Sequence, residues 1–246
     1  MMSIIYTLLS VLCTVQLVSS INLLSPTKSG LASMSKSDSV KISTSKYNWE
    51  LDQSAMVSKS KFKIKPAALI ERCKNVVNNG IGLKKTDDLA DNFQFIFPVV
   101  GPLSKDEYLK AVGGFELGTM FPGFDKALYY NFNVDPYEHN RVWFTAHFKA
   151  THSGDGPFGK ATNILVECPP QSISLSFNEN GQVTKYTGGY VMDKTIGNSG
   201  GLGGVFGPLY AIGRPLPFRE ARPYKKSIGF SLFTFIGSVA SRFRQN

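Results

Sequence analysis

The sequence predicts an α+β domain in which helices come first and a largely antiparallel sheet follows. Three observations carry that reading. Residues 66–79 have helix-type patterning, Phe93, Phe95 and Phe97 alternate at the period of a strand, and four further strand-type runs lie between residues 127 and 192.

Residues 66–79, "PAALIERCKNVVNN", open with a proline at a position that suits a first helical turn. Ala68, Leu69, Val76 and Val77 can share one broad face, and Gly80 ends the run. The stretch "LKKTDDLADN" predicts a short second helix, and "FQFIF" a strand. In "GPLSKDEYLKAVGGF", Ser104 is a candidate N-cap with Glu107 as its capping-box partner three residues later. Strands are then expected over 127–134, 140–151, 171–177 and 182–192. The last two are joined by "NENG", where Asn180 and Gly181 accept the positive φ of a tight hairpin turn.

The formal charge is +9, but it sits at the ends of the chain. Residues 1–65 carry 8 Lys or Arg against 3 acids, residues 66–218 carry 13 against 14, and residues 219–246 carry 6 against 1. A near-neutral centre does not suit a phosphate-tracking groove, so nucleic acid is not an expected partner. Residues 4–18 form an apolar run of signal-peptide length, so residues 1–20 are assigned as a signal peptide. Residues 21–65 are rich in Ser, Thr and Lys and poor in acids, like a disordered transit segment. The two together resemble the address of proteins imported into complex plastids, with the chloroplast as destination and secretion as the alternative. The sequence contains no Asn-x-Ser/Thr sequon. Cys73 and Cys168 permit one disulfide. There is no CxxC and no histidine cluster, so neither a metal nor another cofactor is expected.

The order of elements carries a family resemblance. "LADNFQFIFPVVGPLSKDEYL", then "RVWFTAHFKATHSGDGPFG", then "PPQSISLSFNENGQVTKYTGGYVMDKTIGNSGGLGG" resemble SnoaL-like proteins of the NTF2-like superfamily, over residues 66–218. The resemblance implies a cone: a curved antiparallel sheet wrapped on N-terminal helices, enclosing a pocket, in a homodimer. It also implies that the aspartate after the last strand, Asp193 here, can act as a base in a cofactor-independent isomerase, dehydratase or cyclase. An unbroken strand would place Asp193 with Val183, Thr187 and Val191 on the more apolar side. Capping of the following turn is the other role open to it.

The remaining candidates follow from patterning. His152 shares strand parity with the apolar face of 140–151 and could reach the pocket, whereas His147 falls on the outer face. Tyr190 and His152 are candidate partners of Asp193, each able to polarise a substrate. Phe93, Phe95, Tyr129, Phe144 and Tyr186 are candidate ligand-binding residues, and an apolar pocket suits a small hydrophobic molecule. The glycines from Gly201 onward fit neither a Walker loop nor a dinucleotide fingerprint, because the spacing is wrong and no lysine follows. They are read as hinge or packing points. A non-catalytic binding or assembly module on a plastid membrane is the rival reading. Residues 219–246 form a basic and apolar tail that either packs on the domain or touches a membrane peripherally.

Overall fold

The structure is a computed structural model and describes residues 47–123 and 128–244. The apolar run 4–18 and the Ser/Thr/Lys-rich segment up to residue 46, on which the plastid reading rests, lie outside the described residues.

The described chain is folded before residue 66. Helix α1 (Gln53–Ser58) is capped by Asp52, whose carboxylate accepts the Ala55 N–H at 2.9 Å. Val57, Phe62 and Ile64 then pack against the core. The expectation of disorder through residue 65 is therefore corrected for this part, because these apolar side chains find a surface to cover. Helix α2 (Pro66–Asn78) starts at the expected proline and buries Leu69, Cys73 and Val76. Ala68 is exposed instead.

The expected second helix over 83–92 is only a single 3₁₀ turn, Thr86–Asp88, and strand β1 (Leu89–Ile96) begins straight after it. The reason is Asp88. Its buried carboxylate accepts bonds from Arg72 and Asn79, both at 2.8 Å, while Arg72 Nε donates to the Gly181 carbonyl at 2.7 Å. One acid thus ties α2 to the β1 approach and, through Arg72, to the hairpin turn. Helix α3 (Lys105–Gly113) follows with the anticipated capping box: Glu107 accepts the Ser104 N–H at 2.8 Å. A short α4 (Leu117–Met120) completes this half.

The main sheet contains β2 (Leu128–Val134), β3 (Arg141–His147), β6 (Gln171–Phe177) and β7 (Val183–Val191), in the order β1-β7-β6-β3-β2. All neighbours are antiparallel except β1 and β7, which pair in parallel. The expected strand 140–151 breaks at Phe148 into β3 and β4 (Lys149–Thr151), which pairs with β5 (Leu165–Glu167) in a separate two-stranded sheet. A bond from Cys168 N–H to the Phe148 carbonyl, at 2.9 Å, bridges the break. The result is a curved sheet, not closed into a barrel. Helix α5 (Phe206–Ala211) and helix α6 (Ile228–Arg244) end the chain.

Two apolar clusters hold the domain. The larger packs α2 and α3 on the concave main sheet, and the smaller joins α4 and α5 to β4 and β5. Cys73 lies in the first and Cys168 in the second, both as free thiols. The disulfide allowed by the sequence is not formed, and burial pushes both thiols up to about 12.

Candidate functional site

A cavity of about 1320 Å³ lies between the sheet, α3 and the segments on either side of α5. Its wall is built from strands whose inward side chains are large. Phe95 and Phe97 stack at 4.2 Å between centroids, and the ring of Tyr186 meets both edge-on at 5.3 Å. Ala146, Phe148 and Ile173 supply the wall from β3, the break and β6. This is the composition of a site for an apolar molecule.

Among the described residues five tyrosines line the cavity, of which Tyr190 and Tyr224 are exposed and three stand deeper in the apolar wall. Tyr108, Tyr129 and Tyr186 line the cavity, and Tyr108 donates its hydroxyl to the Ile81 carbonyl at 3.0 Å. Tyr129 and Tyr186 have no hydrogen-bond partner among the described residues. Burial holds the Tyr129 phenol above its ordinary range. Tyr186 is raised further, first by burial and then by its neighbours Tyr108 and Tyr129. Both stay protonated at neutral pH. Each can therefore donate to an oxygen or nitrogen acceptor on a bound molecule.

The cavity is finished by two loop segments. Gly203 packs so closely on the Gly189 carbonyl that a side chain there would collide with it. Gly204, at φ 56°, gives its N–H to Gln171 Oε1 at 2.8 Å. These glycines are thus packing points that let the loop lie against β7. Residues 218–225 turn across the mouth and contribute Arg219, Glu220, Arg222 and Lys225 to it. Ala221, fully buried, anchors that turn.

Asp193 is placed elsewhere. It is exposed beyond the end of β7, where its carboxylate accepts the Thr195 N–H at 2.9 Å and the Thr195 hydroxyl at 2.6 Å. Those bonds hold its acid below the usual carboxylate range. This corrects the expected position on the pocket side. β7 ends at Val191, which still faces the cavity opposite Gln171, and Asp193 lies two residues beyond it in a turn, where strand parity no longer sets the direction of a side chain. The two one-residue irregularities of β7 against β6 cancel between Val183 and Val191, so only Thr187, between them, leaves that face.

His152 is also outside the cavity. It is fully buried, with Nδ1 accepting the Thr162 N–H at 3.1 Å, and its ring packs on Phe121 at 5.1 Å. Burial first, and the charge of Arg214 second, hold its pKa below the ordinary value. Its role in the structure is therefore that of a neutral core histidine: it stays on the buried side with Phe148 and Ala150, but beyond the break that side packs on Phe121 and the smaller apolar cluster. His147 lies on the outer side, 3.3 Å from Glu167, as its parity predicts.

Of the other candidates, Phe95, Tyr129 and Tyr186 line the cavity, and Tyr190 stands half-exposed at its edge. Phe93 and Phe144 do not reach it. Phe93 packs on Tyr108 within the core, and Phe144 is buried against Phe132 at 5.0 Å between centroids. Phe97 belonged to a legible strand pattern and could have been singled out. The contributions of 201–206 and 216–225 had no periodic signal to find.

No protein family and no curated protein matches the chain. Solved structures do resemble it. A protein from Jannaschia sp. CCS1, inferred to be a SnoaL-like polyketide cyclase, has 14% identity and a TM-score of 0.40 over 53% of this chain and 88% of that one. AclR from Streptomyces galilaeus, inferred to be a hydroxylase, has 16% identity and a TM-score of 0.40 over 62% and 86%. An NTF2-like protein from Anabaena variabilis has 15% identity and a TM-score of 0.29 over 61% and 97%. At such identities and scores, these likenesses say nothing of activity.

Proposed function

We propose that the protein binds a small, largely apolar molecule bearing at least one hydrogen-bond acceptor. The observation that carries this is the aromatic cavity with two phenols, Tyr129 and Tyr186, that no group among the described residues satisfies. An acceptor bound beside either phenol would satisfy it. The catalytic form of the reading is a cofactor-independent isomerase, dehydratase or cyclase. It needs a base beside the substrate. Among the described lining residues the one carboxylate is Glu220 at the mouth, and Asp193 lies outside, so the geometry favours binding over turnover.

Native mass spectrometry of protein isolated from its source tests this reading. The expected result is a non-covalent adduct of a small molecule that disappears in Ala146→Phe, a variant that fills the cavity. An adduct-free spectrum for both proteins would count against it. The plastid address and the homodimer belong to the same proposal. The first rests on the composition of residues 1–65, and immunolocalisation reads it; the second rests on the family resemblance, and sedimentation reads it.

A further inference from the structure

We propose that helix α6 docks on the surface of an anionic lipid bilayer, placing the cavity mouth beside the membrane. The inference starts from exposure. Ile228 is 90% exposed and Phe235 65%, and Phe230, Leu232, Phe233 and Ile236 are all between 46% and 57%. No described side chain of α6 belongs to either apolar cluster. Packing on the domain, one of the two roles open to the tail, is taken by residues 219–225 and not by the described side chains of α6.

The pattern around the helix says what would cover it. At about 100° per residue, Ile228, Leu232, Phe233, Phe235 and Ile236 fall on one wide face, and Ser231, Thr234 and Ser238 fall together on a narrow one. A helix pairing with a second copy would use a narrower apolar seam and leave the rest wet. A wide apolar face with small hydroxyl residues behind it suits the boundary between headgroups and acyl chains. The helix has 17 residues, about 26 Å of length, which falls short of a hydrocarbon core of about 30 Å. No helix among the described residues is long and apolar enough to cross a membrane.

Charge selects the kind of bilayer. Residues 219–246 hold Arg219, Arg222, Lys225, Lys226, Arg242 and Arg244 against the single acid Glu220. Lys226 sits 5.9 Å from the Phe230 ring, at the start of the helix where an anionic headgroup would meet both. Arg219, Arg222 and Lys225 also line the cavity mouth, and none forms an ion pair among the described residues. Docking would therefore bring the cationic rim of the mouth to the lipid surface, from which an apolar molecule could enter. The docking itself does not depend on the cavity being occupied.

Flotation of the full chain with vesicles tests this. Vesicles of phosphatidylcholine alone are compared with vesicles in which a third of the lipid is phosphatidylglycerol. The wild type is expected to float with the anionic vesicles about tenfold more than with the neutral ones, and to be released by high salt. The triple substitution Phe230→Ser, Phe233→Ser, Phe235→Ser is expected to abolish the difference while leaving the thermal unfolding midpoint and probe binding in the cavity unchanged. The comparison also removes any contribution from the apolar run 4–18, which both proteins share. Equal flotation of wild type and variant would overturn the proposal, as would a wild type that stays in solution. A dimer in lipid-free buffer that the triple substitution dissolves would assign the face to a second copy instead.

Discussion

At the scale of residues, the main surprise is how the acids divide their work. Asp193 looked like the reacting group, yet it closes a turn with Thr195, whereas Asp88, an unremarked acid in a charged run, is buried and clamped. Asp193→Asn is therefore expected to leave ligand or probe binding at the wild-type level in a titration. A large loss would return Asp193 to the site. Asp88 carries the opposite prediction. Burial raises its pKa, but the bonds from Asn79 and Arg72 outweigh that, so the acid is held below its ordinary value. A depressed folded-state pKa contributes stability that is complete above the unfolded value, about 3.9, and is lost as pH falls through the lower folded one. Asp88→Asn should cost about 2–3 kcal/mol at neutral pH, less than the roughly 3–5 kcal/mol of a fully buried pair because Arg72 is partly exposed. Chemical denaturation between pH 7 and pH 2 checks both the loss and its disappearance in acid. Sequence could show that Asp88 was charged, but not that Arg72 and Asn79, 16 and 9 residues earlier, would converge on it.

At the scale of elements, the regular parts were readable and the irregular ones were not. The capping box of α3, the proline start of α2 and the hairpin at Asn180 and Gly181 each follow from a local rule and appear where that rule puts them. Periodicity failed at the points where a strand ends or breaks. The end of β7 at Val191 and the break at Phe148 took Asp193 and His152 away from the cavity to which unbroken strands would have carried them. The parallel pairing of β1 with β7 is a long-range choice with no local signature. The glycine loop gives the prediction at this scale. Gly203→Ala places a methyl group against the Gly189 carbonyl and 3.0 Å from Gln171 Oε1, where backbone must shift. Overpacking of this kind costs about 1–3 kcal/mol, so a lowered thermal midpoint and weakened cavity binding are expected together. A variant as stable as the wild type would show that the loop is free to move.

At the scale of the whole molecule, the α+β class and the aromatic character of the interior were legible because both depend on composition and period. The cavity was legible only in part. Phe95, Tyr129 and Tyr186 come from strands whose pattern points inward, but the mouth comes from residues 216–225, rich in proline and basic side chains, whose place is set by one buried alanine. The exposed helix after them is outside both apolar clusters, so removal of residues 226–246 should leave the unfolding midpoint unchanged by circular dichroism. A marked drop would mean that α6 packs on the domain in solution. The central claim is that the cavity is a binding site. Titration with the neutral apolar probe N-phenyl-1-naphthylamine, followed by its fluorescence, tests it most directly when wild type is set against Ala146→Phe. The account predicts saturable binding to the wild type and at least about tenfold weaker binding to the filled variant at equal stability. Equal binding by both proteins, or none by the wild type, would contradict it.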